Sequence, residues 1–177
     1  MVDEFVAANG CTNLSDMLAN IASQASSEWT DTPMARHFAV DCVVRVCMRR
    51  PDVAGNLCTA GVIPSLVTLL EVTLDPPPSR SRPSRSRAAV VLVSFAFISV
   101  LLAALGHLCV HNPKIGSAVA EAGAIPLISS LVKSGRDSTD SRWVSVHQQA
   151  EFALKAALPS FDESRRSTPR SSRISIA

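Results

Sequence analysis

The sequence predicts an all-α chain: an α-solenoid of about three helical repeats, with one polar insert and a polar C-terminal tail. Three observations predict it. The apolar fraction is 47% and comes mostly from Leu, Val, Ala and Ile, whereas aromatic residues are 5% and Tyr is absent. That mixture suits close-packed helices better than stacked sheets. One segment matches another without a gap, with Gly61 in the first and Gly123 in the second, an offset of 62 residues. Apolar residues after each of these glycines recur at the three- and four-residue spacing of a helix with one buried face.

Taken in chain order, the first unit is faint. Phe5-Val6-Ala7-Ala8-Asn9-Gly10 ends in a glycine, and Leu14, Met17, Leu18 and Ile21 follow at helical spacing. Asn13 stands where the other units carry proline, and terminal repeats are often atypical because one face meets solvent. Met34 to Met48 is expected to form a long helix, with Phe38, Val40, Val43, Val44 and Cys47 as its apolar positions.

The second and third units are clear. Val53-Ala54-Gly55-Asn56-Leu57-Cys58-Thr59-Ala60-Gly61-Val62-Ile63-Pro64 aligns with Ile115-Gly116-Ser117-Ala118-Val119-Ala120-Glu121-Ala122-Gly123-Ala124-Ile125-Pro126. A short helix runs to Ala60 or Ala122, and the next glycine takes a positive φ and ends it. Proline then falls in the first turn of the following helix, where its missing N–H costs nothing. Ile63, Leu66, Val67 and Leu70 form the buried stripe of that helix, echoed by Ile125, Ile128 and Leu131. Val100 to Val110 and Val144 to Leu158 are expected as the long helices of these units, the latter with Val146, Ala150, Ala153, Leu154 and Ala157 in place. Ser134 to Trp143 reads as a polar loop.

These residues resemble the armadillo repeat family. Its pattern is a short helix ending in Glu-Ala-Gly, then Ala-Ile-Pro-x-Leu-Val-x-Leu-Leu, then a long third helix of the Ala-x-x-Ala-Leu type. Glu121-Ala122-Gly123-Ala124-Ile125-Pro126 matches it closely, and Ala104-Leu105-Gly106-His107-Leu108-Cys109 and Ala153-Leu154-Lys155-Ala156-Ala157-Leu158 resemble the end of its third helix. The likeness covers roughly residues 1–160, with 161–177 as a disordered Ser/Arg-rich tail. The resemblance implies a concave groove along the third helices that holds a peptide or a partner helix. On that geometry Arg45, Arg49, His107, His147, Gln148 and Glu151 are candidate groove residues. Trp29 and Trp143, each just before a third helix, are either partner anchors or edge packing. The Trp and Asn ladder with which importin-like members read basic peptides has no counterpart in the matching stretches, so nuclear-import receptor activity is not expected.

The pattern breaks once. A typical repeat of this family is about 42 residues, so the 62-residue offset leaves about 20 extra. Asp75-Pro76-Pro77-Pro78-Ser79-Arg80-Ser81-Arg82-Pro83-Ser84-Arg85-Ser86-Arg87 cannot continue a helix, and 75–87 is expected to be an exposed disordered loop. Ala88 to Gly106 then runs 19 residues without a charge behind four arginines. Three readings stay open for 88–106: a long buried helix, a single membrane span with a basic flank, or an anomalous insert. A span would put the two matching halves of one solenoid on opposite sides of a membrane.

The net charge is +2, and eight of the fourteen arginines sit in the runs Arg80 to Arg87 and Arg165 to Arg173. The basic character belongs to insert and tail, so a nucleic-acid partner is not expected, and no aromatic residues interleave the arginines to stack bases. Ser167 and Thr168, before Pro169, are candidate phosphorylation sites, set against a simple solvated tail. The five cysteines are odd in number and irregular in spacing, and the opening Met1-Val2-Asp3-Glu4 carries no secretory signal. Reduced thiols and an intracellular setting, cytoplasmic or nuclear, are expected. No phosphate loop, nucleophile elbow or zinc motif is present. His107-x-Cys109-x-His111 lacks a fourth ligand, and Cys42 and Cys47 read as small core residues. The expected function is therefore a non-enzymatic protein-binding module or scaffold without cofactor, metal or small-molecule ligand. The alternative is a membrane-anchored protein using 88–106.

Overall fold

The computed structural model describes residues 4–5, 8–25, 33–75, 87–110 and 112–158. Among them the chain is helical and has no strand, as expected for an all-α protein. In order come α1 (Gly10–Ala25), α2 (Pro33–Arg49), a 3-10 turn (Pro51–Val53) running into α3 (Ala54–Thr59), α4 (Val62–Leu74), α5 (Arg87–Cys109), α6 (Pro113–Glu121), α7 (Ala124–Asp137) and α8 (Arg142–Ala157). Residues 76–86 of the expected loop, the tail 161–177 with Ser167 and Thr168, Trp29 and His111 lie outside the described residues.

The two glycine corners form as their sequences require. Gly61 has φ 91° and Gly123 φ 81°, both left-handed. The caps are alike: Ala60 N–H donates to Asn56 O and Gly61 N–H to Cys58 O, while Ala122 N–H donates to Ala118 O and Gly123 N–H to Ala120 O. The chain bends by 81° at the first corner and 86° at the second. Asn112 opens α6 by accepting the Lys114 N–H at 3.1 Å, with Pro113 behind it.

The N-terminal unit differs. Its left-handed residue is Asn9 (φ 57°), and Gly10 opens α1 instead of closing the helix before it. Asn tolerates this region better than other residues with side chains. Gly10 is glycine for space, since a Cβ there would lie 2.4 Å from the Phe5 ring. The expected loop 134–143 is also shorter, because α7 continues to Asp137. A Cβ on Gly135 would lie 2.7 Å from His147 Cβ, so the glycine lets α7 keep its helix hard against α8. The remaining turn closes on Asp140, whose carboxylate accepts the Arg142 backbone N–H and pairs with its guanidinium. That arginine holds the Asp140 carboxyl below its usual range.

α5 packs along α2 and along α8; α1 packs on α4, and α7 on α8. Leu66, Leu70, Leu101, Leu105, Leu108, Ile128 and Leu154 are fully buried in the core they share, each worth about 1.5–3 kcal/mol relative to exposure. Close approaches are built with glycine: a Cβ on Gly106 would meet the Phe152 ring at 2.4 Å, and one on Gly116 the Ala157 carbonyl oxygen at 2.4 Å. Ser15 ties α1 to the first corner by donating its hydroxyl to Ala60 O at 2.5 Å.

The helix α5 begins at Arg87, so the apolar stretch after the insert extends a long helix at its N-terminal end. Among the described residues no single helix is long and apolar enough to cross a membrane; Phe95–Cys109 is a shorter apolar helix. Phe97, Ile98, Leu101, Leu102, Leu105 and Leu108 are buried within the protein core.

Candidate partner-binding surface

The long helices α2 and α8 each bury one side and leave the other open, whereas α5 is covered nearly all round between Phe95 and Cys109 apart from a narrow, partly open strip. On α2 Ala39 is buried together with Val40, Val43 and Cys47, the last three at three- and four-residue spacing. At 3.6 residues per turn, Phe38 falls nearly opposite those three. It is 58% exposed, although the sequence groups it with the apolar core positions. Its open neighbours along the same side are Met34 at 66%, Met48 at 63%, and Cys42, Arg45 and Arg49. The open side of α5 is made of small groups: Ala96 is exposed, and Ser99, Ala103 and His107 are half-buried at intervals of three, four and four. On α8, Val144 at 54% precedes exposed Gln148 and Lys155.

Two ring contacts orient α8 against α5. Phe95 meets Trp143 edge to face at 5.1 Å, with the Arg142 guanidinium 5.5 Å over its ring; twelve residues on, His107 meets Phe152 at 5.0 Å. Early residues of α8 meet the earlier residues and later meet later, so the two helices run parallel. On the other side, His37 of α2 meets Phe97 of α5 at 6.4 Å.

The expected groove residues divide accordingly. Arg45, Arg49 and Gln148 lie on open sides, and His107 is half open beside Phe152. Arg45 donates to Asp41 at 2.5 Å one turn earlier, which raises its pKa through the hydrogen bond and the carboxylate charge. This exposed pair contributes little to stability. His147 turns inward instead: its Nδ1 lies 3.1 Å from the Val132 carbonyl of α7, and its Nε2 lies 3.7 Å from Glu151. Trp143 is half-buried at the junction of α5 and α8 and packs there on Phe95. Of the two readings left open for it, this contact favours packing.

The open residues that sequence reasoning passed over are Met34, Phe38, Met48, Val144 and Lys155. Their signal was angular. Counting apolar residues along Met34 to Met48 does not separate two sides of a helix, whereas the angle between Phe38 and Val40 does.

The chemistry elsewhere is quiet. Cys47 and Cys109 are buried, and burial pushes both thiols up to about 12. Cys11 and Cys58 are raised by the same cause, while Cys42 stands exposed. Buried thiols held protonated are poor nucleophiles. Among the described residues no group of three or more His, Cys, Asp or Glu could hold a metal ion. Comparison of the chain with protein-family models, curated proteins and solved structures finds no match.

Proposed function

We propose that the chain is an armadillo-like stack of one helix pair and two helix triplets that acts as a non-enzymatic docking module and holds a partner polypeptide across the open sides of α2, α5 and α8. Two similar glycine corners, each joining a short helix to a longer one at nearly a right angle, support the stack. So does the position of α5, packed along both other long helices. In this arrangement α1–α2, α3–α5 and α6–α8 are successive units. The stretch 87–99 is then extra length on a third helix.

One observation carries the docking role. Among the described residues the four most exposed large hydrophobic side chains, Met34, Met48, Phe38 and Val144, all belong to the first or last long helix. Scattered apolar residues on a surface need no explanation, but three of these four share the open side of α2, and exposed apolar side chains aligned on one helix side suit an interaction site. Each such side chain in water forgoes burial worth about 1.5–3 kcal/mol, which a partner would recover. Arg45, Arg49, His107 and Gln148 are polar contacts on the same sides. Trp143 serves the scaffold.

A photoreactive phenylalanine analogue at Phe38 or Gln148 tests this, with Asn20 on α1 and Ser129 on α7 as exposed controls. In cells making the full chain, Phe38 and Gln148 should cross-link the same partner and the controls should not. Cross-links from the controls alone, or from none of the four positions, overturn the reading. Recovery of the chain only in detergent would favour the membrane-anchored alternative.

A further inference from the structure

The three long helices share a spacing that core packing does not demand. Phe38 and Arg49, Ala96 and His107, and Val144 and Lys155 are each 11 residues apart. Eleven residues are three helical turns, about 16 Å along the axis and back to the same side. Each open side therefore carries an apolar or small side chain nearer its N-terminal end and a nitrogen-bearing side chain nearer its C-terminal end. Phe38, Ala96, Val144, Arg49 and Lys155 are exposed, and His107 is half-buried. Because α5 and α8 run parallel, their apolar ends lie side by side, as do His107 and Lys155. The His37–Phe97 contact brings the start of α2 to the same level of α5. The carboxylates nearby are engaged locally, Asp41 with Arg45, Asp140 with Arg142 and Glu151 beside His147.

We infer that the occupant of this surface is an acidic amphipathic helix lying crosswise over α2, α5 and α8, with its apolar stripe on Met34, Phe38 and Val144 and its carboxylates toward Arg49, His107 and Lys155. The inference rests on the docking role proposed above and names its partner's chemistry. The dimensions fit: a helix is about 10–12 Å across with its side chains, and the two bands are about 16 Å apart, within reach of Arg and Lys. Ala96, Ser99 and Ala103 present little bulk in the middle, so a helix can approach α5 closely. The flexible Met34 side chain can conform to an apolar stripe. Arg49 offers a carboxylate a two-pronged contact. A phosphate backbone would satisfy the basic band but leave the apolar band bare. Spanning the axes of three helices spaced about 8–10 Å apart covers about 16–20 Å, roughly 11–13 residues of helix.

The test uses the full chain and fluorescence anisotropy with three labelled peptides of about 18 residues. One is helical, with a leucine stripe flanked by glutamates; the second is its scrambled isomer; the third has lysine for each glutamate. The acidic helix should bind at least about tenfold tighter than the other two. Arg49→Glu with Lys155→Glu should weaken it by about tenfold and strengthen the lysine peptide. Met34→Ser with Phe38→Ser should weaken both. Circular dichroism checks that each variant keeps its helix, and Arg49→Gln with Lys155→Gln replaces the charge reversal if it unfolds the chain. Equal binding of the acidic and lysine peptides, no response to the charge reversal, or tighter binding to a single-stranded oligonucleotide or anionic vesicles would overturn the inference. Persistent cross-linking at Phe38 without binding of the acidic peptide would remove the partner chemistry and leave the docking role standing.

Discussion

Gly123→Ala is the sharpest test of the corner geometry. Gly123 has φ 81° and ψ 11°, and a Cβ built on it meets nothing within 4 Å. Space therefore contributes no penalty, and the whole effect is conformational. An L-residue held left-handed costs about 1–2 kcal/mol. Reduced freedom of the unfolded chain returns part of this, about 0.4–1 kcal/mol. The net loss should be about 1 kcal/mol, or about 2–4 °C in Tm for a chain of this size. Gly123→Asn should lose less than alanine, because asparagine tolerates the left-handed region. Gly61→Ala should resemble Gly123→Ala, as its φ is 91° and its nearest neighbour, Ser15 Oγ, is at an ordinary 3.7 Å. Gly55→Ala provides the opposite sign: it sits in α3 with open space around it, and alanine there should gain about 0.5–1 kcal/mol. Thermal melts followed by circular dichroism at 222 nm read all four. The reasoning fails if Gly123→Ala is as stable as Gly55→Ala, or if asparagine at 123 is worse than alanine.

Four further outcomes follow from packing and burial. Ser15→Ala removes the hydroxyl donor to Ala60 O and should destabilise by about 1–2 kcal/mol, measured by urea unfolding; an unchanged midpoint would show that the bond does not join α1 to the corner. Cys47 and Cys109, raised from 9.0 to about 12, keep their protons in the folded chain after the unfolded chain has lost them, so stability should be full below about pH 9 and fall between pH 9 and 12; Cys47→Ala with Cys109→Ala should flatten that fall. In the native state a maleimide should label Cys42 quickly and Cys47 and Cys109 only on unfolding, counted by mass spectrometry, and rapid labelling of all three would contradict their burial. Gly116→Ala should destabilise by about 1–3 kcal/mol, since the nearest atoms belong to the backbone of Ala157 and cannot swing aside; a neutral result would mean that α6 and the end of α8 are further apart.

The features read from the sequence alone were local ones. Gly61 and Gly123 were assigned positive φ because a helix that stops and turns within a few residues needs a residue without a Cβ, and both adopt it. The long helices over Met34 to Met48 and Val144 to Leu158 were recognisable because apolar spacing reports a buried side wherever the core lies. The apolar run after the insert was legible as something extra, but composition serves a buried helix and a membrane span equally well. Tertiary packing places Leu101, Leu105 and Leu108 inside the protein.

The candidate surface was less legible, because exposure depends on neighbours distant in sequence. The groove geometry implied by the armadillo resemblance named Arg45, Arg49 and Gln148, and these do lie on open sides. The same reasoning put His147 and Glu151 there, yet α7 lies against that side of α8 and takes His147 inward to the Val132 carbonyl. Phe38 went the other way: an aromatic residue in an apolar helix is most often core, but here, among the described residues, it stands exposed on its side of α2. At the N-terminus Asn9 took the left-handed role expected near a glycine, and Gly10 was needed only because Phe5 folds back on it. What the sequence by itself determined was therefore where the chain is helical and where it turns, since backbone conformation follows from each residue and its near neighbours. Which side of each helix is left open, and so which residues a partner could touch, was decided only by the packing of α1, α4 and α7 beneath the three long helices.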